Sequence, residues 1–142
     1  MKKLNWLLGI FCVFLAVFCI ILWQQKKAEH EKMEAICQSS VDSAFAHFAT
    51  FERLQNESDY ISGVAEFRSF MTAYLFLSDN EADTNYIWCN IVYGEMILHP
   101  ENVKENIADL VNALGFLKTD YTHPNGYNRI NALGNKLTHS GE

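Results

Sequence analysis

The chain has 142 residues, 49% of them hydrophobic, with 17 acidic side chains against 11 basic ones. That acidity excludes nucleic acid as a natural partner, because affinity for a phosphate backbone rests on clustered Lys and Arg. With only two prolines and no Pro-rich, Ser-rich or repeated stretch, nothing marks a linker to a second soluble domain.

Residues Leu4 to Trp23 form an apolar run broken only by Asn5. About 20 helical residues at 1.5 Å rise cover roughly 30 Å, the thickness of a bilayer's hydrocarbon core. Trp6 and Trp23 stand at the two ends, where amphipathic rings favour the headgroup level. The run predicts a single-pass transmembrane helix in the cell membrane. After Trp23 the chain reads Gln-Gln-Lys-Lys-Ala-Glu rather than a small-x-small cleavage site, which argues against a removed signal peptide. Phe11 before Cys12 and Phe18 before Cys19 are too large for a lipid-attachment motif. Lys2 and Lys3 precede the run, and Lys26, Lys27 and Lys32 follow it, so charge alone barely sets orientation. The short basic flank is that of an uncleaved signal anchor, which places the C-terminal domain outside the cytoplasm. The expected division is residues 1–27 as the anchor with its basic flanks, 28–138 as a helical domain and 139–142 as a flexible tail.

In the helical domain, Met33, Cys37, Val41, Ala44, Phe48 and Phe51 recur in steps of three and four, one stripe of a helix that continues the anchor to about Asn56. Asn56-Glu57-Ser58-Asp59 supplies turn and capping residues. A second stripe through Tyr60, Val64, Phe67, Met71 and Tyr74 predicts a helix ending near Leu77. Ser78-Asp79-Asn80 breaks the chain again before a third helix that reaches Leu98. This one is apolar on every side, and such a helix is either buried at the centre of a fold or exposed for a partner. Burial is the expectation, with Tyr86, Trp88 and Tyr93 as the partner-facing residues of the other case. Pro100 then opens a fourth helix with a stripe through Val103, Ile107, Leu110, Leu114 and Leu117 and a solvated face of Glu101, Glu105, Asp109 and Asn112. His123-Pro124-Asn125-Gly126 reads as a turn before a short last helix. No stretch alternates with the period of a strand. The fold class is therefore all-α, an N-terminal transmembrane helix followed by an antiparallel four-helix bundle with a short fifth helix.

Motifs for chemistry are absent. The five histidines form no His-x-x-x-His pair and no Glu-x-x-His motif, so neither a metal nor another cofactor is expected. No Gly-x-Ser-x-Gly elbow or phosphate loop occurs, and neither Cys37 nor Cys89 has a histidine in the context of a nucleophile, so the chain is not expected to be an enzyme. Cys37 and Cys89 fall at similar heights on their helices and form a candidate disulfide. One polar constellation remains. At about 100° per residue, His47, Arg68 and Glu95 each lie on the apolar arc of a different helix. At about 1.5 Å per residue they fall roughly 21 to 25 Å from the membrane end, in one layer. They are the candidate ligand-binding residues, with Arg68 expected to pair with Glu95.

Two functions follow. The first is a non-enzymatic interaction or scaffold protein of the cell envelope, anchored through Leu4 to Trp23 and bound to another envelope protein. The second is an extracytoplasmic small-molecule sensor or binding module, with a polar pocket between helices.

Overall fold

The computed structural model describes residues 2–139, which form six α-helices and no strand. They are α1 (Lys2–Leu54), α2 (Glu57–Ser78), α3 (Thr84–Leu98), α4 (Pro100–Glu105), α5 (Ile107–Thr119) and α6 (Pro124–His139). Of the expected flexible tail, residues 140–142 lie outside the described residues. Two compact units divide between Lys32 and Met33.

The first unit is the N-terminal part of α1. This helix is long and apolar enough to cross a membrane, and none of its most apolar stretch is buried inside protein. Its aliphatic and aromatic side chains from Ile10 to Trp23 are exposed in every direction.

In the second unit the helical stripes become one core. Cys37, Val41, Ala44, Phe48 and Phe51 of α1 are fully enclosed, as are Phe67 and Phe70 of α2. The α2 helix starts where Asn56 accepts the Ser58 amide at 3.1 Å, and it ends at Asp79 in the left-handed conformation. Helix α1 holds the others through side chains. The Phe48 and Phe51 rings lie 5.9 and 5.3 Å from that of Tyr60. Gln38 donates to the Lys118 carbonyl at 2.7 Å and accepts the Tyr121 amide at 3.1 Å, so one amide group satisfies both the end of α5 and the turn after it. A Cβ on Gly63 would stand 2.8 Å from the Phe48 ring, which is why α2 carries glycine at this approach.

Three features depart from expectation. The helix predicted from Pro100 to Leu117 is two helices, interrupted at Asn106. The Asn106 amide bonds the Val103 carbonyl, while its own side chain donates to the Asn102 carbonyl at 2.8 Å and takes the place of the regular backbone bond. The apolar stripe nevertheless runs through the break, since Val103, Ile107, Leu110, Leu114 and Leu117 are all buried. Second, the last helix is not short. His123 is its cap: the ring Nδ1 accepts the Asn125 amide at 3.2 Å, Pro124 occupies the first turn, and the helix runs 16 residues. Gly126 lets it press on α5, since a Cβ there would come within 2.5 Å of the Leu117 side chain. Six helices thus stand where an anchor-continuous four plus a short fifth were expected.

Third, α3 is not buried at the centre. It touches α2, α4 and α6, yet encloses only Cys89, Val92 and Met96. The opposite side faces out.

Candidate functional site

The structure separates the three polar residues singled out by the sequence. His47 faces α2, and its Nδ1 lies 3.4 Å from Asp59 Oδ1, across the short turn that joins the two helices. Arg68 is exposed on α2 and no ion pair joins it to Glu95. Its expected burial fails because it stands at the edge of the apolar arc, where a long cationic side chain reaches water. Glu95 is half-buried on α3, where its backbone carbonyl accepts the His99 amide at 2.9 Å. The groove that Arg68 lines has neither His47 nor Glu95 on its wall.

Tyr86, Trp88 and Tyr93 are half-buried and packed against the core rather than turned outward. The Trp88 ring covers Gly134 of α6. The outward side of α3 is instead formed by Ile87, Ile97 and Leu98, exposed by 43%, 56% and 71%. Gly94 lies on the same side, at helical steps of seven from Ile87 and four from Leu98, and a Cβ placed on it would meet nothing within 4 Å. The exposed surface of α3 is therefore mostly apolar and uncharged: Asn90 stands among these residues and Thr84 at the N-terminal end, while the only charged side chain on the helix, Glu95, sits towards its flank.

Cys37 and Cys89 both reach the core and are both free thiols. They are close enough that a charge on Cys37 would help to suppress ionisation of Cys89. Burial, with a smaller contribution from Glu34, pushes the Cys37 thiol up to about 12, and burial raises Cys89 further still. Such thiols are poor nucleophiles. Beside them the Tyr127 hydroxyl donates to the Tyr121 carbonyl at 2.6 Å, and its ring lies 5.5 Å from that of Tyr74. The Tyr74 hydroxyl donates to Asp83 at 3.0 Å and accepts from Asn85 at 3.2 Å. Burial is the main reason that the Tyr74 hydroxyl rises to about 12. The Tyr74 and Tyr127 hydroxyls are thus satisfied by their neighbours, as buried polar groups in a packed core are.

Among the described residues no group of three or more His, Cys, Asp or Glu side chains is placed to hold a metal ion. Sequence reasoning missed two features of the surface. The open side of Gly94 has no signal in a single chain. The groove between α1 and α2 had a faint one, in the short side chains Ser69, Thr72 and Ala73 set between Arg68 and Phe76. No protein-family model, curated protein or solved structure matches the chain.

Proposed function

We propose that this protein is a single-pass membrane protein whose helical domain lies outside the cytoplasm and binds another envelope protein through the outer side of α3. It is a non-enzymatic interaction or scaffold protein. The observation that carries this reading is the exposure of Ile87, Ile97 and Leu98 beside the bare backbone at Gly94. Isolated exposed apolar residues are ordinary, but several on one uncharged helix side form the kind of patch that protein contacts cover. The arrangement of the domain is an antiparallel bundle, because two residues join α1 to α2 and four join α5 to α6, connections that return the chain alongside itself. The apolar run from Leu4 to Trp23 spans the membrane and holds the domain near its partner.

A photoreactive amino acid at Ile87 or Leu98, introduced into the full chain in intact cells, is expected to give a discrete adduct with one other envelope protein. The same group at Asn112, on the solvated side of α5, is expected to give none. Equal adducts from both positions, or none from α3, would remove the basis of the proposal. A C-terminal reporter that works only in the cytoplasm is expected to be silent, and activity from it would reverse the orientation.

The second reading, a sensor with a polar pocket built from His47, Arg68 and Glu95, has less support, because the groove that Arg68 lines includes neither His47 nor Glu95.

A further inference from the structure

A groove of about 390 Å³ lies between α1 and α2. Met33 and Ile36 form one wall, and Thr72, Ala73 and Phe76 form the other. Arg68 and Ser69 are at its end. Its size falls within the range of small-molecule sites, about 300 to 1,000 Å³. The space exists because α2 turns three short side chains, Ser69, Thr72 and Ala73, towards it at helical spacing, between the longer Arg68 and Phe76. Most of the lining is apolar and part of it is exposed, since Phe76 stands open to solvent at the rim.

The charge at this groove is uncommitted. Lys104 is held by Glu57 and Glu101 at 2.9 Å each, and Lys136 by Asp109 at 2.8 Å. Lys118 and Arg129 lie over the Phe45 and Phe116 rings. Among the described residues Arg68, like the exposed Arg53, has no carboxylate or ring partner, and Arg68 is the cation that lines the groove. The two hydroxyls beside it have already spent their hydrogens: Ser69 donates to the Ala65 carbonyl at 3.2 Å and Thr72 to the Arg68 carbonyl at 3.0 Å. The groove thus offers one planar cationic fork and no second free donor. That set fits a monovalent carboxylate, which a guanidinium grips through two parallel hydrogen bonds, and falls short of what a phosphate dianion would need.

We infer that the groove binds a single-chain anionic amphiphile, a long-chain fatty carboxylate, with its head on Arg68 and its chain along Met33, Ile36, Ala73 and Phe76. This site is separate from the partner surface on α3 and does not depend on it. Occupation covers Phe76 and neutralises the one unpaired cation of the groove. The ligand is distinguished from a membrane lipid by its single chain and free carboxylate.

The test uses the full chain in phosphatidylcholine nanodiscs and a palmitate analogue that carries a mid-chain diazirine. After photolysis, peptide mapping is expected to place the label on residues 33–36 and 69–76, and excess palmitate should compete it away. Arg68→Gln, and separately a probe with an alcohol in place of the carboxylate, should each lower this labelling about ten-fold, the size expected for the loss of a charge-assisted hydrogen bond. Thr72→Trp should fill the groove and abolish it. Both substituted residues are exposed, so helix content by circular dichroism should not change. Label confined to residues 4–23, or label indifferent to Arg68 and to the carboxylate, would each overturn the inference.

Discussion

The Tyr60 hydroxyl of α2 donates to the Met96 carbonyl of α3 at 3.2 Å, in place of an amide that the sequence does not contain. A carbonyl inside an α-helix receives the amide four residues on, but four residues after Met96 stands Pro100, which has none. Both residues are buried, so without Tyr60 the carbonyl would face neither water nor a donor. Tyr60→Phe keeps the ring against Phe48 and Phe51 and deletes only the donor. It is expected to cost about 1 to 3 kcal/mol, the penalty of one orphaned buried polar group. Urea unfolding should show a lower midpoint with an unchanged slope.

Two glycines should respond in opposite directions to the same substitution. At Gly94 a methyl group meets open space, so Gly94→Ala gains helix propensity and is expected to stabilise by up to about 1 kcal/mol. At Gly126 the methyl group would meet Leu117 at 2.5 Å and the Ala113 carbonyl at 3.3 Å, and overpacking of this kind costs about 1 to 3 kcal/mol. Thermal unfolding of the two variants side by side reads the difference directly. A destabilised Gly94→Ala would mean that the α3 surface is already covered in the isolated protein.

The buried thiols make the fold sensitive to alkali. Burial raises the Cys37 thiol from its ordinary 9.0 to about 12. A raised folded pKa means that the advantage of the folded state is fully present below the unfolded value and is lost as pH climbs through the folded one. The window is therefore pH 9 to about 12, with a loss of about 1.4 kcal/mol per pH unit for each such thiol. Cys37→Ala should make the alkaline decline of stability shallower. Iodoacetamide should leave Cys37 and Cys89 unmodified in the native protein and alkylate both once it is unfolded.

Caps and exposed charges should separate cleanly. Asn56 holds the first turn of α2 through the Ser58 amide, so Asn56→Ala is expected to cost about 1 kcal/mol. Arg68→Ala, expected to be severe if the residue were buried in a pair, should instead change stability by no more than about 0.5 kcal/mol, because its side chain is exposed and unpaired. Chemical denaturation of these two variants checks both.

The limits of what could be read from the chain are visible in single residues. The stripe on α1 could be read because helical periodicity is local: five of its six residues, from Cys37 to Phe51, are buried as expected, and only Met33 is left at the wall of a groove. The interruption at Asn106 could not, since the surrounding pattern is that of an unbroken helix. It arises from the competition between one amide side chain and the backbone for the Asn102 carbonyl. The candidate site suffered from the same limit. Angles about each helix axis placed His47, Arg68 and Glu95 on apolar arcs, yet the axis of one helix says nothing about which neighbour stands opposite.

Sequence by itself determined the apolar run at the N-terminus, the helical class, the core stripes of α1, α2 and the α4–α5 segment, and the solvated row of Glu101, Glu105, Asp109 and Asn112, all of which are exposed. These follow from the spacing of residues within one helix, where each side chain's direction is set by the backbone it belongs to. Only the tertiary structure decided that His47 meets Asp59, that α3 buries a single line of side chains and leaves Gly94 bare, and that Arg68 ends beside an apolar groove with no ion-pair partner among the described residues. An apolar-all-round helix carries no mark of its buried side, and a free charge is defined by the absence of neighbours. Both are properties of packing between helices, which comes into being only when the chain has folded.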